Sequence, residues 1–276
     1  DALLTVRDLQ FGEALQPDRI TPLALGVVAN VQGRVNGEGR IAWTPDGVKS
    51  SGAFSTTNAN LAAAFGPVEG LSGTIRFSDL LNMVTEPGQE VRVATINPGI
   101  PVTNGVIHYQ LLPGNQVQIE GGEWPFAGGK LVLKPARIDL SADKPRRMTL
   151  AVENVDAAVF LQQFAFENIN ATGVFDGTMP LVFDAQGGRV ENGELIARPG
   201  GGGIAYVGEL TKEDLGSWGN FAFQSLRDIR YRTLAIVLNG QLDGEMVTAI
   251  RFTGLSQGTG AKQNFLTRKI ASLPII

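Results

Sequence analysis

The chain has 276 residues, of which 43% are hydrophobic and 18% are charged, and its formal net charge is −4. This composition is that of a folded protein with a sizeable core, and an acidic balance without a large basic cluster argues against a nucleic-acid partner. The chain has no Cys, which excludes disulfides, cysteine-ligated iron–sulfur clusters and thiolate zinc sites.

Apolar and polar residues alternate along most of the chain, and glycines interrupt the alternation at short intervals. In residues 71–77, Leu71, Ile75 and Phe77 share one parity, while Ser72 and Arg76 share the other. Because side chains of a strand alternate between its two faces, this pattern predicts half-buried strands with one apolar face. Strands are predicted at 3–10, 25–43, 48–56, 70–77, 90–96, 105–112, 116–121, 130–141, 147–153, 171–183, 189–198, 203–208, 232–241 and 245–254.

Helical patterns are few. Residues 156–165 place Ala157, Phe160, Leu161 and Phe164 on one stripe, which predicts a short amphipathic helix. A second amphipathic helix is predicted at 261–271, and shorter ones at 58–65, 78–84 and 221–231. The sequence therefore predicts a mainly β fold, built as a long, twisted antiparallel sheet with a few short amphipathic helices on its apolar face.

One short pattern occurs three times with the same spacing. The strings VQGRVNG (31–37), ATGVFDG (171–177) and LNGQLDG (238–244) align at their glycines and at the closing Asn-Gly or Asp-Gly. Such dipeptides are typical of two-residue hairpin turns, so we expect hairpins there and a repeated β unit in an extended array. The alternative is chance similarity in a chain with 35 glycines.

No group of residues indicates catalysis. His108 is the one histidine, and it lies on the polar side of its predicted strand, so we expect it to face solvent. The segment GGEWPFAGGK (121–130) lacks the spacing of a phosphate-binding loop, and the Asp and Glu residues are scattered. We therefore expect a protein that is not an enzyme and that uses no metal and no cofactor.

The two ends of the chain read as cut points. No stretch approaches the ~20 apolar residues of a membrane-spanning helix, and no signal peptide opens the sequence. The first residues, DALLTVRDLQF, have the pattern of a strand interior. We expect the chain to be a fragment of a longer protein.

Several long strings resemble one protein family. The strings GLSGTIRFSDLLN (70–82), VATINPGIPVTNGVIHYQLLPG (93–114) and IEGGEWPFAGGKLVLKP (119–135), with VFDGTMPLVFDAQGGRVENGELIARPGGGG (174–203) and FLTRKIASLPI (265–275), resemble the C-terminal "dicarboxylate transport" region of YdbH-like proteins. These proteins are similar to the AsmA and TamB group of bridge-like lipid transfer proteins. We expect residues 1–276 to form one continuous β-groove, with N-terminal strands in 1–64 and the YdbH-like region in 65–276.

The resemblance implies a function as well as a shape. It implies a half-open groove that shields the acyl chains of phospholipids as they cross the periplasm of a Gram-negative envelope between the inner and outer membranes. It also implies an N-terminal inner-membrane helix that this chain lacks, and a small YnbE-like outer-membrane lipoprotein that adds a strand at an open sheet edge. Family chains tend to continue past the point where this one ends, at Pro274-Ile275-Ile276.

One parity set of apolar residues is expected to line the groove. The alternative for each residue is ordinary core packing, and the alternative for the whole chain is a closed β-sandwich that serves as a structural or adaptor module in the envelope. The expected lining residues are Ile75, Phe77, Val91, Val93, Ile107, Tyr109, Leu111, Val117, Ile119, Leu131, Leu133, Leu150, Val152, Leu181, Phe183, Leu195, Leu234, Ile236 and Leu238.

Overall fold

Antiparallel strands make up most of the computed structural model, which describes residues 1–21, 28–63, 66–98, 100–141, 144–163, 168–207, 228–242 and 246–257. The described helices are a 3₁₀ turn at Pro17–Arg19 and α1 at Ala157–Gln163. The strands are β1 Ala2–Phe11, β2 Val28–Thr44, β3 Gly47–Ala63, β4 Gly66–Asp79, β5 Val84–Thr85, β6 Gln89–Ile96, β7 Val102–Leu112, β8 Gln116–Phe126, β9 Gly129–Leu133, β10 Ala136–Asp139, β11 Arg146–Asp156, β12 Ile169–Thr172, β13 Val174–Asp184, β14 Gly187–Ala197, β15 Gly202–Tyr206, β16 Ile229–Tyr231, β17 Thr233–Gln241, β18 Met246–Thr253 and β19 Ser256–Gln257.

Fifteen of these strands form one sheet. Its main path runs β1-β2-β3-β4-β6-β7-β8-β9-β11-β13-β14-β17-β18, with β5 paired to β4 and β10 paired to β8. Within the described residues β1 and β18 do not pair with each other, so the sheet is open and is not closed into a barrel. Strands β12, β15, β16 and β19 form a separate four-stranded sheet. The predicted mainly β fold with a large antiparallel sheet is confirmed.

The strand register gives the large sheet two different faces. Residues that pair directly across antiparallel strands lie on the same face. One row of such pairs passes through Gly73, Val91, Ile107, Gly122, Leu133, Leu150 and Met179 in seven successive strands. We call the face that carries this row the apolar face. The opposite face, called here the polar face, carries ion pairs such as that of Lys130 with Glu123.

Bulges of one kind interrupt the pairing of four strands, β1, β4, β11 and β14. In each case one residue has a φ between 50° and 63°, the register shifts beside it, and its backbone N–H donates to an Asn or Asp side chain of a neighbouring strand at 2.6–2.9 Å. A bulge bends a strand and increases its twist, so these four bulges curve the sheet. The donor–acceptor pairs are Asp8–Asn36, Gly70–Asn60, Asn154–Asp176 and Asn192–Asn239.

The repeated string is part of this bulge pattern and does not form hairpins. Asn36-Gly37 lies inside β2 and Asp176-Gly177 lies inside β13, so the predicted hairpin turns at these two places are wrong. Gly33, Gly173 and Gly240 each have a positive φ, and Asn36 and Asp176 each accept a bulge N–H. The third dipeptide, at 243–244, lies outside the described residues.

Of the predicted helices, one is confirmed, two are wrong, and the others fall wholly or mostly outside the described residues. The helix at 156–165 is confirmed as α1, with its last two residues outside the described range. The helix at 58–65 is wrong because residues up to Ala63 extend β3, where they pair with β4. The helix at 78–84 is wrong because the chain makes a tight turn there, with Met83 at a φ of 53°. The helix at 261–271 and most of that at 221–231 fall outside the described residues, although Ile229–Tyr231 forms β16.

Candidate functional site

All nineteen residues expected to line a groove lie on the apolar face. Register pairs connect them from β4 to β17, for example Tyr109 with Ile119 and Leu195 with Ile236. Ten of them remain half-buried: Ile75, Val91, Ile107, Tyr109, Leu111, Ile119, Leu150, Leu195, Ile236 and Leu238. Nine are buried: Phe77, Val93, Val117, Leu131, Leu133, Val152, Leu181, Phe183 and Leu234.

The apolar face also contains residues that the alternation pattern missed. Trp124 and Val155 belong to the same buried cluster as Leu131 and Val152, and Met179 packs against it. Val155 was missed because the bulge at Asn154 shifts the parity, so that Val152 and Val155 lie on one face. The sequence did contain a sign of this bulge: Asn154 interrupts an apolar strand, and Asn tolerates the positive φ that a bulge can require.

Glycines and aromatic rings together flatten this face. The Trp124 indole covers Gly105 of the neighbouring strand, and a Cβ there would overlap the ring. Phe54 covers Gly37 and Gly52 in the same way. In each case the ring fills the space above a glycine. The surface there is apolar and has no side chain projecting from the glycine.

One end of the apolar face is open to solvent. Leu4, Trp43 and Val48 lie on this face, through the pairs Leu4–Gly39 and Trp43–Val48, and they are 46%, 60% and 53% exposed. At the other edge Ile250, paired with Ile236, is also exposed. Contiguous exposed apolar groups are typical of surfaces that bind something.

The helix α1 packs against the turn between β8 and β9, at one end of the apolar face. The rings of Phe160 and Phe126 meet edge to face, with their centroids 6.0 Å apart. Asp156 accepts a hydrogen bond from the backbone N–H of Val159 at 3.0 Å, which caps the first turn.

A cleft of about 140 Å³ opens between β2 and β7 on the apolar face. Phe54, Leu71, Ile75 and Tyr109 contribute to its wall. Burial raises the pKa of Tyr109 to about 12, because the phenolate would lose its hydration.

The polar face is covered by ion pairs. Arg189 donates to Asp184 at 2.6 Å and to Glu191 at 3.0 Å, and Arg147 also donates to Glu191 at 3.0 Å. Hydrogen bonding to Arg189 holds the pKa of Asp184 below its ordinary value, and hydrogen bonding to Arg147 does the same for Glu191. Together the two arginines flank Val182, which is only 1% exposed.

His108 is exposed on the polar face, where its register partner is Glu90. Among the described residues no three His, Asp or Glu side chains are placed to hold a metal ion. In the same part of the chain, no helix has the length and hydropathy needed to cross a membrane.

Comparison with known proteins gives one result. Neither the curated proteins nor the solved structures include a match to this chain. A family model described as "YdbH-like: Intermembrane phospholipid transport protein YdbH" matches residues 1–266, and it thus includes residues 1–64, where the sequence offered no resembling string. The matched range covers nearly the whole chain, and its open sheet with one apolar face is consistent with a groove: the chain belongs to the YdbH-like family of intermembrane phospholipid transport proteins.

Proposed function

We propose that the apolar face holds the acyl chains of phospholipids while their headgroups stay in water, and that this is how the chain takes part in transport across the periplasm between the inner and outer membranes. The main support for the proposal is that the strand register places these apolar residues on one face of the sheet. Ten apolar residues in seven strands between β4 and β17 share a face and keep part of their surface accessible. Membership of the YdbH-like family supports phospholipid as the cargo.

The physical advantage of such a face is large. Moving a methylene group out of water stabilises it by about 0.8 kcal/mol, so a bare acyl chain does not cross an aqueous space readily. Along a continuous apolar track each methylene group leaves one apolar contact for another, and the free energy stays nearly level. Transport of this kind needs no chemical step, and we propose that the chain is not an enzyme.

The nineteen residues of the expected lining have two roles in this proposal. The half-buried ten contact the acyl chain directly. The buried residues support the sheet from within: Val93, Leu131, Leu133 and Val152 pack in one cluster with Trp124, whereas Leu181 and Phe183 pack with Val190 and Leu234 packs with Phe175. We treat residues 1–276 as one groove-forming unit, because the family match extends from residue 1.

A photocrosslinking amino acid at Ile107 tests the proposal. Ile107 is half-buried on the apolar face, and its neighbour His108 is exposed on the polar face, so the two positions form a matched pair. We expect phospholipid adducts, detected by mass spectrometry after isolation from a Gram-negative envelope, at position 107 and not at 108. Equal labelling at both positions, or none at either, would contradict the proposal and favour an adaptor module with a self-filled core.

We further propose that β18 accepts a strand from a small YnbE-like outer-membrane lipoprotein. In the described part of the chain β18 is the last strand of the large sheet and pairs only with β17, which leaves backbone groups along its outer edge. Because the chain has no Cys, a Cys introduced at Thr248 is unique. We expect it to crosslink to a Cys-bearing lipoprotein strand, whereas a Cys at Thr5 in β1 should not; crosslinking at Thr5 alone would contradict docking at this edge.

A further inference from the structure

The separate four-stranded sheet, called here the small sheet, is a continuation of the large one. Its strand order β12-β15-β16-β19 follows that of β13-β14-β17-β18, and each of its strands is joined directly to its counterpart. Gly173 alone separates β12 from β13, and Arg232 alone separates β16 from β17. Residues 198–201 join β14 to β15, and residues 254–255 join β18 to β19. The same four-stranded ribbon is therefore bent along one line, which we call the crease.

Close backbone contacts hold the crease. Gly201 and Gly254 have φ values of 65° and 64°, which glycine adopts without strain. A Cβ on Gly201 would overlap the backbone oxygen of Tyr231, and a Cβ on Gly254 would lie 2.7 Å from the Cβ of Arg232. The bend thus depends on residues without a side chain, so the crease is built into the fold.

The small sheet has one apolar face, like the large sheet. Ala171 pairs with Ile204, and Ile204 pairs with Ile229, so these three residues lie on the same face. Ile169 and Tyr231 share this face, because each lies two residues along its strand from a member of that row. We call the side that carries Ile204 the inner face.

The inner face meets the apolar face of the large sheet at the crease. Tyr231 is 4% exposed and belongs to one buried cluster with Phe175 and Leu234 of the large sheet. Ile204 packs against that cluster, and the ring centroids of Tyr231 and Phe252 are 6.2 Å apart. Because Leu234 lies on the apolar face, the apolar surfaces of the two sheets face the same interior.

Burial on the inner face decreases with distance from the crease. Tyr231, next to the crease, is buried, whereas Ile204 and Ile229 are half-buried. Ile169, four residues from Gly173, is 38% exposed. Two sheets packed as a closed sandwich would bury these side chains in a shared core. The two surfaces therefore form the walls of a wedge, which is filled at the crease and offers accessible apolar surface farther out.

An acyl chain suits this wedge. The inner face is continuous with the apolar face, which we propose to hold acyl chains. Arg230 is the one charged residue in the described strands of the small sheet, and it pairs with Gly203 on the opposite face. The Tyr231 hydroxyl already donates to the backbone carbonyl of Thr172 at 2.8 Å. A charged headgroup would lose its hydration in the wedge, which is very unfavourable, whereas an acyl chain has no polar atom to satisfy.

We propose that the small sheet is the second wall of a two-walled site for the acyl chain of a phospholipid, at the end of the apolar face formed by β13, β14, β17 and β18. This inference rests on the proposed function and adds to it a place where one tail contacts two sheets. The headgroup of the same lipid lies outside the wedge, in water.

Photocrosslinking at neighbouring positions of β15 tests the second wall. Ile204 and Ala205 are both half-buried, but they lie on opposite faces of the small sheet, so they form a matched pair. The photoreactive amino acid is placed at one of these positions in the full chain, which is then isolated from a Gram-negative envelope, and adducts are identified by mass spectrometry. We expect phospholipid adducts at position 204, as at position 107, and not at position 205.

The other outcomes separate the second wall from the proposed function. Lipid adducts at 107 without lipid adducts at 204 would overturn the wall and leave the proposed function standing. A crosslink from 204 to the chain's own residues in place of lipid, or equal labelling at 204 and 205, would overturn the wall as well. If neither 107 nor 204 is labelled, the proposed function and the wall fail together.

A second measurement needs no substitution. Phosphatidylglycerol vesicles are added to the unaltered chain, and amide hydrogen exchange is followed in β15 and β16 by mass spectrometry. A tail bound in the wedge stabilises the small sheet, so we expect exchange in these strands to slow. Unchanged exchange in both strands, while position 107 is labelled by lipid, would overturn the wall even if the variant at 204 does not fold.

Discussion

At the residue scale, the contact between Trp124 and Gly105 is the sharpest constraint on the apolar face. Gly105→Ala forces the Trp124 indole off the neighbouring strand, because a Cβ would occupy the position of the ring. We expect the free energy of unfolding to fall by about 1–3 kcal/mol, as overpacking a core does. Chemical denaturation measures this change. Gly12→Ala is the control, since a Cβ there contacts nothing within 4 Å and should leave stability unaltered; an equal loss in both variants would argue against the ring contact.

Between bulges, the alternation of residues along a strand is enough to predict which side chains share a face, but not how deeply each is buried. Ile107 and Leu133 have the same parity and are register neighbours through Gly122, yet only Leu133 is buried. Leu133 is a buried member of the cluster that contains Trp124 and Val152, whereas Ile107 packs against that cluster from its margin, and the alternation does not show which strand lies at the centre.

At the element scale, the bulges depend on one acceptor side chain each. Asn60→Ala leaves the backbone N–H of Gly70 without its partner, and Gly70 holds a φ of 63°. We expect a loss of about 0.5–1.5 kcal/mol in unfolding free energy, the net value of one hydrogen bond, measured by urea denaturation. Asn60→Asp keeps an acceptor oxygen at this place and should retain most of the stability. A loss as large as that of the Ala variant would show that the hydrogen bond is not what holds the bulge.

The ion pairs that brace neighbouring strands make stability depend on pH. Hydrogen bonds to Arg198 and Arg189 lower the pKa of Asp176 and of Asp184, respectively. A carboxylate with a lowered pKa stabilises the folded state above its unfolded pKa of about 3.9, and this contribution is lost as the pH falls through the folded value. We therefore expect unfolding free energy to be steady near neutral pH and to decline below about pH 4. Asp184→Asn should make that decline shallower; an unchanged slope would contradict the assignment.

The strand predictions succeeded where the alternation of apolar and polar residues is long and regular. The alternation near Phe54 and Ile107 was strong enough to predict β3 and β7. Local rules failed where pairing with a neighbour decides the conformation: Asn36-Gly37 has the sequence of a tight turn, but Asn36 accepts the Asp8 N–H in the middle of β2. Whether such a dipeptide turns or bulges depends on the strand beside it, which a single sequence does not identify.

At the scale of the whole molecule, stability should be graded across the sheet. The central strands contribute the buried cluster around Leu131 and Val152, whereas Leu4 and Trp43 leave the β1–β2 end of the apolar face open. Native-state hydrogen exchange should therefore show the slowest amides in β9 and β11 and faster ones in β1. Adding phosphatidylglycerol vesicles should slow exchange at the open end. Uniform protection from β1 to β18 would instead indicate a fully cooperative unit.

The order of the strands in the large sheet determines how the molecule could be lengthened or shortened. Its thirteen strands follow one another in chain order, and each contacts chiefly the strand before and the strand after it. Neighbouring strands are about 4.8 Å apart, so a spliced hairpin would extend the span by about 10 Å. An even number of added strands preserves chain direction on both sides of the join. Reach is thus adjustable in hairpin-sized steps, and a designer could lengthen this scaffold by duplicating a strand pair with its bulge.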